Sequence, residues 1–322
     1  MSKSSRIVTE YGIKIGGKTK MKIGYRCIFL AIFVMMSFSF TANAQAKKLK
    51  IYISADMEGI VGVVTGDQLS PQGFEYGRFR EFMTQEVNAA IEAAFAGGAT
   101  EIVVSDSHGN GESLLIEKFP KNVTIVRSWP RPLMMMQGID ETFAGAIFIG
   151  YHAGTTNSEG VRAHTISSAT LADVKLNGLS MPEAGINAAI AGQFNVPVIM
   201  ISGDDAAVKE TTDLLGNIEG AVVKWNYGFH SARTMTPEAA DDVIREKVKN
   251  AMGRLKDFKP YKVTTPVQLD VRFKNYRPAE LLSYLSIVKR TDAHSIRFQG
   301  RDIIEVSKFL EFMTNYESGL TP

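Results

Sequence analysis

Two acidic residues, Asp56 and Glu58, lie just beyond a short apolar run at residues 49–53, separated from it by Ser54 and Ala55. An apolar run of this length is typical of a buried strand, and two carboxylates two residues apart at its end can point the same way. Gly59 lets the backbone turn sharply beneath them. Carboxylates held this close repel each other unless a proton or a cation lies between them. Taken alone, the motif fits a cation site and a strand with a turn-forming aspartate equally well.

Two histidines, His108 and His152, each follow a later apolar run that is typical of a buried strand. Between the first and second runs, apolar residues at spacings of three and four over residues 79–94 predict a long amphipathic helix. The resulting β-α-β order predicts parallel strands with a right-handed crossover, and the carboxyl ends of such strands meet at one edge of the sheet. We therefore expect both histidines to lie close to Asp56 and Glu58.

The residue types gathered at this edge are metal ligands. Two imidazoles with carboxylates suit zinc, or less specifically manganese, and a carboxylate has two oxygens that can bridge two metal ions. Glu183, which the sequence places at the start of a helix, offers a further oxygen. The single cysteine, Cys27, lies in a predicted signal peptide, so a metal site in the exported protein must use His, Asp and Glu. Such a site can turn water into a nucleophile near neutral pH.

Residues 1–44 are predicted to be a secretory signal peptide. Basic residues precede an apolar run at residues 28–40 that contains no charged residue, and the sequence Ala-Asn-Ala follows at residues 42–44. The run is too short for a comfortable membrane span, so we expect an exported protein, periplasmic or secreted, without a stable membrane anchor. The residues before Met21 are interpreted as a mis-assigned start or an unusually long basic region.

The charge of the exported chain limits its partners. Removing residues 1–44 takes away seven basic residues and one acidic residue, so the formal net charge changes from +2 to −4. Nucleic acids and anionic membrane surfaces require a concentrated basic face. We therefore expect no nucleic-acid partner.

The remaining pattern predicts an α/β fold, with a mainly parallel sheet sandwiched by helices and a smaller C-terminal α+β lobe. Residues 45–260 alternate buried strands with helices and are predicted to form the metal-binding α/β domain. Residues 261–322, which begin with an alternating apolar and polar strand pattern, are predicted to form the smaller lobe. The Asn-Gly pair at residues 177–178, between two short strand-like runs, predicts a hairpin.

The same residues allow two other interpretations. Three motifs, Asp56-x-Glu58, Ser105 after the second strand and Gly203-Asp204-Asp205 after the fourth, loosely resemble those of haloacid-dehalogenase-type phosphatases, in which a nucleophilic aspartate works with one magnesium ion. That pattern leaves both histidines without a role, and the last two aspartates are explained more simply as helix caps. A non-catalytic exported peptide-binding protein is the third possibility, because a signal peptide with two α/β lobes is also typical of solute receptors.

Several motifs together resemble those of the zinc-dependent D-aminopeptidases first known as the dipeptide transport protein. The matching segments are Ser54-Ala55-Asp56-Met57-Glu58-Gly59, Asp106-Ser107-His108, Gly150-Tyr151-His152-Ala153, His164 and Glu183-Ala184-Gly185-Ile186-Asn187. The resemblance covers nearly all of the chain after residue 44. It implies a metalloprotease that removes N-terminal D-amino acids, such as D-alanine, from short peptides, and that assembles as a ring-shaped homodecamer.

The resemblance also implies a division of roles within the site. Asp56 would bridge two zinc ions per chain, and His164 would be the catalytic residue, described in the family as a nucleophile. The remaining implied metal ligands are Glu58, His108, His152 and Glu183. An exported enzyme of this kind would meet D-amino-acid peptides released from cell-wall peptidoglycan.

Overall fold

The structure is a computed structural model that describes residues 48–316. The predicted signal peptide of residues 1–44 lies outside this range, as do residues 317–322 of the predicted C-terminal lobe. Within residues 48–316, no helix combines the length and the apolar character that crossing a membrane requires.

Strands and helices alternate along most of the chain. In chain order, the strands are β1 (Lys50–Ala55), β2 (Glu101–Asp106), β3 (Val123–Val126), β4 (Phe143–Tyr151), β5 (Leu171–Leu176), β6 (Leu179–Ser180), β7 (Val198–Asp204), β8 (Glu219–Gly228), β9 (Ser231–Thr234), β10 (Val267–Phe273), β11 (Val288–Arg290) and β12 (Ser295–Gly300). The helices are α1 (Gly66–Leu69), α2 (Tyr76–Ala96), α3 (Glu183–Gln193), α4 (Asp205–Leu215), α5 (Pro237–Gly253), α6 (Tyr276–Leu282) and α7 (Ile303–Asn315). Short 3-10 turns occur at Ile116–Lys118, Met134–Met136 and Leu255–Asp257.

The main sheet of the described chain has the strand order β3-β2-β1-β4-β7-β8-β9. Its neighbouring strands run parallel, except that β9 is antiparallel to β8. The order changes direction between β1 and β4, and parallel α/β sheets bind ligands in the crevice at such a switch point. The predicted fold class, a mainly parallel sheet sandwiched by helices, is confirmed.

The central strands are buried on both faces, because each face packs against its own core. In β1, Ile51 and Ile53 pack in the core that includes α2 and α5, whereas Tyr52 packs in the core that includes α3 and the second sheet. All three side chains are fully buried. Burial on both faces explains why β1 is an unbroken apolar run in the sequence. It also fixes the carboxyl end of β1, from which Asp56 projects.

The second sheet is antiparallel, with the strand order β11-β12-β10-β5-β6. The β5-β6 hairpin confirms the turn predicted at Asn177 and Gly178, which have φ angles of 50° and 88°. Strand β5 pairs with β10, where Leu176 lies opposite Leu269. The second sheet therefore contains strands from before and from after residue 260. The predicted boundary between domains 45–260 and 261–322 stays a prediction.

Three local features differ from the sequence-based expectation. Residues 66–69 form α1 where glycine and proline predict a loop, because a capping box stabilises this single turn. Strands β8 and β9 occupy residues 219–234, for which no strand is predicted, and β8 contains Lys224 at a fully buried position. Pro278 predicts a helix that begins after it, but helix α6 already begins at Tyr276, because a proline without an N–H fits within the first helical turn.

Candidate metal centre

The loop after β1 carries Asp56 and Glu58 and packs tightly against the end of β4. The backbone N–H of Gly59 donates to the carbonyl oxygen of Gly150 at 2.7 Å. A Cβ atom at residue 59 would lie 2.0 Å from the carbonyl oxygen of Tyr151. The close approach of two backbones therefore requires glycine here, in addition to the turn that the sequence predicts.

His108 lies two residues beyond β2 and faces Glu58. Strand β2 is the parallel neighbour of β1, and Asp106 lies opposite Ala55, so the two strands end at the same level. The distance from Nε2 of His108 to Oε1 of Glu58 is 3.5 Å. On its other side, Nδ1 of His108 lies 3.2 Å from the hydroxyl oxygen of Ser113. The structure thus brings His108 and Glu58 together, with a second partner that orients the imidazole.

His152 directly follows β4, and His164 is brought beside it by a loop that closes on itself. The backbone N–H of His164 donates to the carbonyl oxygen of Ala153 at 3.0 Å. As a result the two imidazoles stack, with ring centroids 4.0 Å apart and an angle of 8° between the planes. Nδ1 of His152 lies 3.0 Å from the carbonyl oxygen of Ala153, and Nδ1 of His164 lies 2.8 Å from that of Arg162. A carbonyl oxygen accepts a hydrogen bond only from a protonated nitrogen, so in the neutral form of each imidazole Nε2 keeps a lone pair for a ligand.

Glu183 is the first residue of α3, and its carboxylate reaches both stacked histidines. Its Oε1 lies 3.4 Å from Nε2 of His152 and 3.7 Å from Nε2 of His164. The same oxygen accepts a hydrogen bond from the backbone N–H of Ile166 at 2.6 Å. Glu183 therefore completes a cluster of six predicted site residues, whose exposed fractions lie between 1% and 9%.

Two buried atoms in this cluster lack the partner that a cation would supply. Oδ2 of Asp56 and Nε2 of His152 lie 3.3 Å apart, and neither has a hydrogen-bond partner within residues 48–316. Buried polar atoms are normally satisfied, and these atom types are ligands of zinc. Two groups each have donor atoms within 4.8 Å of one another: Asp56, Glu58 and His152, and His152, His164 and Glu183. The residues therefore fit a metal centre.

The acids nearest β1 interact strongly with each other and with His108. Burial and the charge of Glu58 raise the pKa of Asp56 to about 7. Burial acts in the same direction on Glu58, but the charge of His108 overrides it and holds the pKa of Glu58 well below its usual value. Burial alone would lower the pKa of His108, but Glu58 raises it to about 9. Protons bound to Asp56 and His108 thus offset the negative charge of these acids, as bound cations could also do.

The stacked histidines differ in their electrostatic surroundings. Burial opposes the charge on His152, but Glu183 and Asp56 override it and raise the pKa of His152 well above its usual value. Burial also tends to raise the pKa of Glu183, but His152 lowers it. For His164, burial and the neighbouring His152 act together to lower the pKa.

The cluster opens into a cavity of about 430 Å³, within the roughly 300–1,000 Å³ range of small-molecule sites. Acids and imidazoles form one wall. The other lining residues include Ser107, Trp129, Met134, Met135, Ile166, the segment from Ser167 to Thr170, and Glu311, Thr314 and Asn315 of α7. The cavity therefore pairs a wall of potential metal ligands with a wall of mixed polar and apolar side chains.

Sequence analysis missed the residues that surround and support this cluster. The run Met134–Met136 is more typical of core filling than of a pocket, and all three methionines are in the core. Met134 and Met135 also line the cavity. Trp129, Glu311 and Ser113 carry no local signal that connects them with the site, because only the folded chain brings them close to it.

Comparison with known proteins identifies the family. Residues 49–312 match the D-aminopeptidase family, peptidase family M55. The chain belongs to this family. The D-aminopeptidase of Bacillus subtilis strain 168 is 33% identical over 267 residues, which cover 83% of this chain and 97% of that relative. The structure is similar to that of the zinc-dependent D-aminopeptidase DppA from Bacillus subtilis, a self-compartmentalizing protease, with a TM-score of 0.80 and 31% identity over 84% of this chain and 100% of DppA.

Membership of the D-aminopeptidase family confirms the resemblance found in the sequence and the expectation of a hydrolase. It argues against the phosphatase and the solute receptor. The contacts of Asp204 agree with this, because its carboxylate accepts backbone hydrogen bonds from Ala207 at 2.9 Å and from Val161 at 2.6 Å. Asp204 caps α4 and does not line the cavity.

Proposed function

We propose that this member of the D-aminopeptidase family is a zinc-dependent aminopeptidase that removes N-terminal D-amino acids, such as D-alanine, from short peptides. The observation that carries the proposal is a pair of buried atoms, Oδ2 of Asp56 and Nε2 of His152, that have no hydrogen-bond partner in the described part of the chain and lie among converging acids and imidazoles. The zinc dependence of the similar Bacillus subtilis enzyme supports it.

Two zinc ions per chain, with Asp56 between them, suit this arrangement. Glu58 and His108 form one pair of donors, and His152 and Glu183 form a second pair. Asp56 lies beside His152, and its pKa responds to the charges of both Glu58 and Glu183. We therefore assign Asp56 as the bridging ligand and the other four residues as ligands. When bound, zinc would polarise the substrate carbonyl and promote ionisation of water.

His164 is the residue that we assign to the bond-breaking step. Because Nδ1 donates to the carbonyl oxygen of Arg162, Nε2 carries a free lone pair next to Glu183. As a general base, Nε2 takes a proton from water while the water oxygen bonds to the peptide carbonyl carbon. The same proton then passes to the departing amine nitrogen as the C–N bond breaks. As a nucleophile, Nε2 instead bonds to the carbonyl carbon itself, and the peptide C–N bond breaks as the amine nitrogen takes a proton from water. The hydroxide formed in this way then attacks the acyl carbon and releases the acyl group from Nε2 as the free acid.

Two substitutions separate metal binding from turnover. Asp56→Ala is expected to lose zinc and activity together, because it removes the bridging ligand. His164→Ala is expected to retain zinc but to lose about 100-fold or more in turnover, the range of general acid-base catalysis. Full activity in His164→Ala would remove this residue from the mechanism, and loss of one zinc ion would make it a ligand instead.

Hydrolysis of D- and L-alanyl amides by the zinc-loaded protein tests the proposed activity, with a phosphate ester as the control substrate. We expect the D-alanyl amide to be cleaved in preference to the L-alanyl amide, and the ester to be left intact. Turnover of the ester alone would support the phosphatase interpretation instead.

We also propose that the enzyme is exported, to the periplasm or outside the cell. We further propose that it forms a homo-oligomer, and specifically a ring-shaped homodecamer. The predicted signal peptide of residues 1–44 supports export. The self-compartmentalizing Bacillus subtilis relative supports assembly. A mature N-terminus that still contains residues 28–40 would contradict export. A monomeric mass in solution would contradict oligomer formation.

A further inference from the structure

A buried cation lies beneath the loop that carries Asp56 and Glu58. It is the side chain of Lys224 in β8, which is fully buried. Its ammonium group donates to the backbone carbonyl oxygens of Glu58, of Ile60 at 3.0 Å and of Val63 at 2.7 Å. An ammonium group has three N–H donors, so each of them has one of these carbonyl groups as its partner. The three carbonyl groups are referred to below as the Lys224 cage.

We propose that Lys224 is a positioning residue for the metal centre, because its hold on the Lys224 cage fixes the backbone from which Glu58 reaches the metal. The inference rests on the metal binding proposed above. The carbonyl group and the side chain of Glu58 share one Cα, so a shift of the carbonyl also moves the carboxylate. Groups that orient metal ligands in this way strongly affect metal affinity.

A cation suits the Lys224 cage better than a neutral group would. Three carbonyl dipoles point their negative ends at one place, which is unfavourable without a positive charge there. A buried ammonium is in turn costly unless its donors are all paired. Burial lowers the pKa of Lys224 to about 8, and the negative charges of Asp204 and Glu86 act in the opposite direction. The loop and the ammonium therefore stabilise each other.

Other hydrogen bonds also hold this loop in place, without contact to the reacting atoms. The backbone N–H of Val61 donates to Oε1 of Glu86 at 2.8 Å, and that of Gly62 donates to the hydroxyl oxygen of Thr234 at 2.9 Å. Lys224 is not part of the cavity wall. Its contribution is therefore to the position of the ligands, not to contact with the substrate.

Zinc affinity of the full chain, measured by competition with a chelator, tests this role. Lys224→Met keeps the length of the side chain but removes its charge and donors, and we expect the zinc dissociation constant to rise by about 10–100-fold. Lys249→Met, which alters an exposed lysine of α5, is the matched control and is expected to bind zinc normally. Ile296→Ala, in the core of the second sheet, controls for a general loss of stability and is also expected to bind zinc normally.

Wild-type zinc affinity in Lys224→Met would overturn the inference while leaving the proposed function intact. Failure of the wild-type protein to bind zinc would overturn the proposed function itself. If Lys224→Met does not fold, Lys224→Gln retains two N–H donors and should give an intermediate zinc affinity. In the unmodified, zinc-free protein, the amides of residues 57–63 should already be protected from hydrogen exchange. Protection that arises only when zinc is added would show that Lys224 does not preorganise this loop.

Discussion

Gly59→Ala should disrupt the contact between the loop that carries Asp56 and Glu58 and the end of β4, which His152 directly follows. The added Cβ would lie 2.0 Å from the carbonyl oxygen of Tyr151 and 2.4 Å from the carbonyl carbon of Gly150. Ordinary van der Waals contact begins near 3.4 Å, so the loop must move away by more than 1 Å. That movement would also break the hydrogen bond from the Gly59 N–H to the Gly150 carbonyl oxygen.

Both losses can be expressed as free energies of unfolding. Overpacking a well-packed site costs about 1–3 kcal/mol, and a lost hydrogen bond costs about 0.5–1.5 kcal/mol. A total of about 3 kcal/mol lowers the Tm by about 5 °C in a chain of this size. A displacement of about 1 Å at a catalytic site can reduce turnover by about 100-fold. We therefore expect both stability and activity to fall.

Thermal unfolding of the zinc-free protein and hydrolysis of a D-alanyl amide by the zinc-loaded protein measure these two effects. Gly77→Ala in α2 is the matched control, because a Cβ at residue 77 would meet no atom of residues 48–316 within 4 Å. It should leave activity unchanged and stabilise the helix by about 0.5–1 kcal/mol. Wild-type Tm and turnover in Gly59→Ala would refute the close packing of the loop after β1 against the end of β4.

Three further changes test other parts of the molecule. Ser113→Ala removes the oxygen beside Nδ1 of His108, so zinc binding measured by chelator competition should weaken by about 10-fold, and an unchanged affinity would exclude an orienting role. Burial, and then repulsion by acids that include Asp242 and Glu92, raise the pKa of Asp241 to about 6, although Arg245 opposes this. Because this pKa is raised above its unfolded value of about 3.9, the folded protein loses stability as the pH rises from about 4 to above 6. After allowance for solvent screening, Asp241→Asn should therefore stabilise the fold by about 1 kcal/mol at pH 8 and not at pH 4. Equal shifts of the Tm at both pH values would contradict the raised pKa of Asp241 as the cause. Removal of metal by EDTA should abolish hydrolysis and added zinc should restore it, whereas activity that survives full removal would contradict metal dependence.

Much of the main sheet could be predicted from the sequence, because its central strands are buried on both faces and form unbroken apolar runs. Strand β8 could not, since the fully buried Lys224 interrupts its apolar pattern and resembles a surface residue. The hairpin at residues 171–180 could be predicted from its Asn-Gly turn, but its pairing with β10 could not. Local sequence contains no signal for a partner strand about ninety residues away.

The residues of the candidate site were likewise only partly predictable from the sequence. Parallel topology alone was enough to predict that Asp56, His108 and His152 lie at one sheet edge, because the strand that precedes each residue ends there. The position of His164 depends on a loop that closes through the hydrogen bond to Ala153, so only family resemblance identified it. Supporting groups such as Lys224 are invisible in the sequence, because they act on backbone atoms of a distant segment.

A crystal structure of the zinc-loaded protein, with anomalous data collected at the zinc absorption edge, tests the central claim most directly. We expect two anomalous peaks per chain, about 3.5–4 Å apart, with Asp56 bound to both. Glu58 and His108 should bind one ion, and His152 and Glu183 the other. Absence of zinc from this cluster, or a zinc ion bound elsewhere in the fold, would contradict the proposed metal centre.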